Sequence, residues 1–356
     1  MSEPAIRAGT PQRPRFRISL RVWLVAIAIV TCLVAWQSRR SFLTRANVSH
    51  LSEVASLDED IWEIAWSPER DRMALLAWEK PVVVRDVLSL EVIETIGEGQ
   101  KLIHFAFSPD KDVVAYCHNG KTAEILDRRT GRSMTLDVGN DQPQMTFSPD
   151  GKVLATGGYG TISSLWRVSD GKLLRQFDAG PTAGGLTPVF SPDGTMLAVG
   201  NRNAETHIFE VATGNVLHVL PEVQTQGLQF SPDGRTLAVA YVDGSLRLWN
   251  MADGRLLHGL TTTAKELYRV EWSPDGQILA SAGLEGKITL WNPADLSILR
   301  EIAGPDWVIA LRFSPDGRNL ITAGGASGHK GPTTGTRSLK IWGIEGSLFS
   351  LANRPR

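Results

Sequence analysis

Seven histidines, His50, His104, His118, His207, His218, His258 and His329, are the residues of this chain best suited to metal or acid–base chemistry. None stands four residues from another, and none is paired at short spacing with a cysteine or a set of acids, as a zinc site requires. The two cysteines, Cys32 and Cys117, cannot build a disulfide framework or a Cys-ligated metal site, and Cys32 lies in an apolar run. Asp110, Asp150, Asp193, Asp233, Asp275 and Asp316 recur at regular intervals and tempt a reading as a carboxylate array. Each belongs to its own turn, too dispersed for two carboxylates to share a proton transfer. The stretch from Gly324 to Gly331 is rich in glycine but lacks the Gly-Lys-Ser/Thr ending of a phosphate loop and the helix that must follow it, and no Gly-x-Ser-x-Gly elbow is present. The sequence is therefore expected to carry no catalytic residue, no metal, no cofactor and no evident small-molecule substrate.

What positions these residues is a repeat. Ser-Pro recurs at Ser67, Ser108, Ser148, Ser191, Ser231, Ser273 and Ser314, at intervals of 41, 40, 43, 40, 42 and 41 residues, and from Ser148 onward it extends to Ser-Pro-Asp-Gly. Proline presets φ at the first corner of a turn, Asp tolerates the second, and Gly takes a conformation that a side chain resists. An alternating apolar run ending in an aromatic precedes each turn, as in Val270-Glu271-Trp272. A run of apolar and small residues follows it, as in Leu237-Ala238-Val239-Ala240. A third strand closes on a large residue (Leu246 to Trp249, Ile288 to Trp291, Leu339 to Trp342) and a fourth follows another turn. Four short strands in about 41 residues make one blade of an all-β propeller, here with seven blades. Leu51 to Val54 stands at the fourth-strand spacing ahead of the first Ser-Pro and is the expected closing strand, with Gly346 to Phe349 as the competitor.

On these residues, positions 47–351 resemble the WD-repeat (beta-transducin-like) propellers. The carriers are the Ser-Pro-Asp-Gly turns and the third strands ending in Trp166, Trp249, Trp291 and Trp342. The resemblance implies a non-catalytic platform for protein–protein interaction. The pattern departs from the family's in lacking the Gly-His pair, in following Trp with Arg167, Asn250, Asn292 or Gly343 rather than Asp, and in placing Arg85, Leu126 or Phe209 where three blades would carry the Trp. The family's His-Ser/Thr-Asp-Trp network is thus incomplete, with Asp243 and Trp249 as a surviving part. Exported bacterial propellers also use Ser-Pro-Asp-Gly, and the alternative reading is a ligand-binding or enzymatic propeller working through its central channel.

The formal net charge of −1 hides an asymmetry, since residues 1–46 hold eight arginines and one acid while the remainder carries an excess of eight acids. Such a body repels a phosphate backbone, so nucleic acid is not an expected partner. Val22 to Trp36 is free of charge, and residues 18–38 are interrupted only by Arg21. As a helix the longer span covers about 31 Å, enough for a bilayer core of ~30 Å if Arg21 snorkels. Trp23 and Trp36 stand near its ends, where indoles favour the interface. We read 1–17 as a basic tail, 18–38 as an uncleaved transmembrane signal anchor, 39–46 as a linker, 47–351 as the propeller and 352–356 as a tail. Five arginines before the segment against three after it favour a cytoplasmic N-terminus and a propeller outside the cytoplasm at the cell membrane.

The connection running from about Gly324 to Arg337 is longer than its counterpart at Tyr241 to Gly244, and surface insertions of this kind often carry a repeat protein's individuality. Trp62, Trp78 and Trp307 fall on the same face, near the seam between the first and last blades. Together with His329, Lys330 and Arg337 they form the expected protein-binding site. The axis-facing positions are expected at Ile61, Leu102, Gln144, Leu186, Gly227, Leu267 and Val308, a mainly apolar ring that argues against a polar ligand in the channel.

Overall fold

A buried serine hydroxyl organises each full turn. In the five Ser-Pro-Asp-Gly turns the Ser Oγ donates to the Asp Oδ1 at 2.6 Å. The same Oγ accepts the backbone N–H five residues on, at 2.9–3.0 Å. The glycine sits at φ between +69° and +73°, where a Cβ is strained. At the first Ser-Pro, Arg70 takes this left-handed conformation itself, with φ +63°. The repeated aspartates are thus accounted for as turn acceptors.

The computed structural model describes residues 42–344 apart from 88, 119–120, 140, 160–161, 179–187, 201–204, 222–223, 265, 285 and 326–337. Within them the strands form seven antiparallel sheets of four strands each. Blade 1 starts with Glu63–Trp66, blade 2 with Leu102–Phe107, blade 3 with Asp141–Phe147 and blade 4 with Val189–Phe190. Blades 5, 6 and 7 start with Thr225–Phe230, Leu267–Trp272 and Trp307–Phe313. The hydrophobic cores lie between blades: Ala238, Ala240, Leu246 and Leu248 of blade 5 pack against Leu267, Val270, Trp272 and Trp291 of blade 6.

Leu51–Leu57 supplies the outer strand of blade 7, in the order 51–57, 338–344, 319–325, 307–313. Its register with Ser338–Ile344 runs from Leu51 opposite Ile344 to Leu57 opposite Leu339, with a bulge between Glu53 and Ala55. Closure by the N-terminal strand is as the sequence spacing implies. The chain reaches this strand across the turn face. Leu43 N donates to Gly317 O at 2.9 Å, Arg45 Nε to Gln277 O at 2.8 Å, and the Arg318 guanidinium lies 4.9 Å from the Phe42 ring centroid. Leu43 and Val48 are buried with Phe313, Leu320 and Trp342.

Deleting Leu51–Leu57 leaves Ser338–Ile344 with an open edge in blade 7 and uncovers the core beside it. The expected outcome is loss of a cooperative thermal transition and growth of light scattering at neutral pH. A deletion variant that stays monodisperse with an unchanged melting temperature contradicts this account of closure.

Candidate protein-binding site at the channel mouth

The first strands line a central cavity of about 930 Å³. The fourth residue before the Ser-Pro borders it in six blades, as Glu63, His104, Gln144, Gly227, Arg269 and Ala310, and so does the second in every blade but the sixth, including Gln229 and Arg312. Thr187 of blade 4 lies outside the described residues. This corrects the expected apolar ring. Gln144 and Gly227 do reach the channel, but Ile61, Leu102, Leu267 and Val308 are buried inside the blades, and Leu186 lies outside the described residues. For Leu102, Leu267 and Val308 the physical reason is a bulge in the first strand, between Leu102 and His104, Leu267 and Arg269, and Val308 and Ala310, and a like bulge lies between Thr225 and Gly227; Ile61 precedes its strand. The extra residue turns the residue after it toward the axis, a polar side chain at His104 and Arg269 and a small residue at Gly227 and Ala310. Counting four back from each Ser-Pro, a rule available in the sequence, would have found them.

These polar groups clip neighbouring blades together. Glu63 of blade 1 faces His104 of blade 2, Oε1 to Nε2 at 3.1 Å, and its Oε2 accepts the Phe105 N–H at 3.1 Å. Arg269 of blade 6 donates through Nε to Ile309 O of blade 7 at 2.8 Å, and Arg312 of blade 7 stands 3.4 Å from the Glu271 carboxylate of blade 6. Burial holds His104 below the usual histidine range, with Arg312 and Arg269 acting in the same direction and Glu63 opposing them. Burial likewise pushes the Glu271 carboxyl up to about 7, against the pull of Arg312 and Arg269.

At the mouth of the channel, opposite the Ser-Pro turns, four aromatic rings form a chain across blades 1, 7 and 6. Trp62 and Trp78 centroids are 5.2 Å apart at 47°, Trp62 and Trp307 are 6.0 Å apart edge-on, and Tyr268 and Trp307 are 5.8 Å apart at 60°. Trp78 is 38% exposed, Trp62 and Trp307 are half-buried, and all four rings border the cavity. The structure therefore brings together three of the site residues expected from the sequence and adds Tyr268. His329, Lys330 and Arg337 lie outside the described residues. Gly324 is needed for this arrangement, because a Cβ there would stand 1.8 Å from the Trp307 carbonyl oxygen.

The strand-end tryptophans use a recurring hydroxyl. Nε1 of Trp166 donates to Thr156 Oγ1 at 2.9 Å, that of Trp291 to Ser281 Oγ at 2.8 Å, and that of Trp342 to Thr322 Oγ1 at 3.0 Å. In each case the acceptor lies on the second strand, two residues past the one opposite the Trp. Two family models match the part of the chain where the repeats are most regular: that of the WD domain, G-beta repeat, over residues 254–292 and 296–342, and that of the anaphase-promoting complex subunit 4 WD40 domain over 221–272. These matches and the seven four-stranded blades support a WD-repeat propeller family for the chain. No curated protein matches it. WD-repeat propellers typically serve as platforms for protein interaction. What this member keeps of the family's internal network is the hydroxyl–indole bond in blades 3, 6 and 7. Asp243 instead accepts from Ser245 N and Oγ, at 2.8 and 2.5 Å, and no bond joins it to Trp249 among the described residues. His218 Nε2 meets Met251 O at 3.0 Å, a packed strand residue bridging blades 4 and 5.

Glu271 gives this WD-repeat ring a pH dependence. Burial raises its pKa in the folded state to about 7, above the ordinary carboxylate range, so the folded protein holds the proton more tightly than the unfolded chain. Its contribution to stability falls as pH rises from about 4.5 to 7 and is flat above. Glu271→Gln removes the ionisable group and keeps an acceptor for Arg312. It is expected to raise stability at pH 8 by up to about 3 kcal/mol and to change little at pH 4.5, read from denaturant melts at both pH values. Equal effects at the two pH values would contradict the assignment.

Proposed function

We propose that this chain is a membrane-tethered, non-catalytic WD-repeat propeller whose protein partner docks on the channel mouth. The observation that carries the reading is the set of Trp62, Trp78, Trp307 and Tyr268 rings gathered around one cavity at the seam. Trp and Tyr ringed by polar groups are the residue types that dominate protein interfaces. His329, Lys330 and Arg337 belong to the proposal as polar contacts from the neighbouring insertion. The tether is proposed from the sequence of residues 18–38, which lie outside the described residues; among those described, no helix is long and apolar enough to cross a membrane. The arginine bias puts the N-terminus in the cytoplasm and the propeller outside it.

A second reading, a small ligand bound in the channel, is favoured by the polar tier of Glu63, His104 and Arg269. These groups also hold bonds between blades, which is why the platform reading is preferred.

A photoreactive amino acid in place of Trp78 is expected to capture a partner in intact membranes, whereas the same group at Asp233 on the turn face captures none. Trp307→Ala is expected to weaken that partner's binding about thirtyfold, or ~2 kcal/mol. Thermal unfolding separates this from lost packing: a melting temperature lowered in proportion, or capture equal from both faces, removes the site assignment. Orientation is read separately. Protease added outside sealed, right-side-out membranes should digest the propeller and spare the N-terminal tail; protection of the propeller until lysis reverses the topology.

A further inference from the structure

The channel mouth is acidic as well as aromatic. Glu63 follows Trp62, Glu79 follows Trp78, Asp306 precedes Trp307, and the Tyr268 hydroxyl donates to Glu266 Oε2 at 2.6 Å. Glu79 is paired with Lys101 at 3.1 Å and Glu59 with Arg85. Asp58, Glu266 and Asp306 have no basic partner among the described residues, and Asp58 and Asp306 are exposed.

A second observation concerns hydrogen-bond polarity. Gln226, on the blade 5 wall of the same cavity, is 5% exposed, and its Oε1 has no hydrogen-bond partner among the described residues. It stands five residues before its Ser-Pro, the position that carries Trp62 in blade 1 and Tyr268 in blade 6. Burial disfavours the charged form of His104, and a neutral ring that donates its Nε2–H to Glu63 Oε1, 3.1 Å away, leaves the buried and likewise unpartnered Nδ1 as a lone-pair acceptor. Besides these acceptors the wall carries the Trp66 Nε1 donor, without a hydrogen-bond partner among the described residues, and Glu63 is the one acid bordering the cavity, so most of the negative charge lies at the rim beside the aromatic faces. The ligand that answers them is positively charged and rich in N–H donors, since a guanidinium or ammonium gains both from an aromatic face and from the carboxylates beside it. Arg269 and Arg312 carry the opposite charge, but they are drawn onto the Tyr268, Ile309 and Leu311 carbonyls and onto Glu271. Their charge keeps a cation at the mouth and out of the lower channel.

We propose that the mouth takes an arginine or lysine side chain presented by an exposed segment of the partner protein, held between the Trp62, Trp78 and Trp307 rings and the surrounding carboxylates. This rests on the platform reading and names the chemistry of its partner.

The test uses the full-length chain in detergent micelles, labelled with 5-fluorotryptophan and followed by fluorine NMR, with resonances assigned by single Trp→Phe changes. The probes are the end-blocked peptide Gly-Ser-Arg-Ser-Gly and its citrulline counterpart, which keeps the shape and loses the charge. The arginine peptide is expected to shift the Trp62, Trp78 and Trp307 resonances and to bind at least tenfold more tightly than the citrulline peptide. Asp306→Asn, an exposed change, should weaken it at least threefold with an unchanged melting temperature. Equal binding of the two peptides at the mouth overturns the cationic assignment and leaves the platform standing. Shifts confined to tryptophans away from the mouth overturn both. Absence of arginine-peptide binding, or spermidine binding more tightly than the peptide, overturns a basic protein segment as the occupant.

Discussion

The pairing of Leu51–Leu57 with Ser338–Ile344 is the contact on which the remaining architecture depends. A blade is a twisted sheet whose faces must be covered by its neighbours, and an unclosed ring leaves a blade exposed at each end. Closing blade 7 with the strand that leads into blade 1 joins the two ends by antiparallel hydrogen bonds. The seam made this way is also where the aromatic mouth lies. Trp62 follows the closing strand and Trp307 begins the blade being closed, so residues 245 positions apart meet edge-on at 6.0 Å only because the ring is complete.

The channel wall shows how one set of polar groups serves ring integrity and site chemistry together. Glu63 bonds His104 and the Phe105 N–H across one blade boundary, and Arg312 meets Glu271 across another. Taking charges out of water is costly, and a pair offsets that cost only with good partners on every side. The expense is visible at Glu271, whose carboxyl stays raised even with Arg312 beside it. At Glu63 the balance differs: its carboxylate is partly exposed to the cavity and faces a neutral imidazole, so negative charge remains where a ligand arrives.

Within the WD-repeat family the blades of this chain solve one problem in two ways. A buried indole N–H needs an acceptor, and Thr156, Ser281 and Thr322 provide it on the second strand. Blade 5 has Val239 at the corresponding position, and there the fold rests on packing of Trp249 against Leu228, Leu237 and Met251. The interaction that recurs more widely is the serine hydroxyl of the turn, which satisfies a donor and an acceptor at once in five blades. It ties the register of the first two strands to a four-residue signal.

That economy explains what was legible in the sequence. Repeat spacing, turn chemistry and period-two alternation are local properties, and they determined seven four-stranded blades and the N-terminal closing strand, as well as the place of Trp62, Trp78 and Trp307 on one face. The acidic and aromatic residue types of the mouth were likewise present in the linear chain. The direction of the first-strand side chains was decided by tertiary structure. A one-residue bulge between Leu102 and His104, repeated in blades 5, 6 and 7, reverses the facing of every residue after it, because side chains in a strand alternate with period two. Alternation without the bulge sets Leu102 and His104, like Leu267 and Arg269, on one face; the bulge separates each pair, burying the leucine and leaving the polar residue on the axis. Tyr268 was missed for the same reason, and its approach to Trp307 is set by the packing of blade 6 against blade 7, which no spacing along the chain encodes.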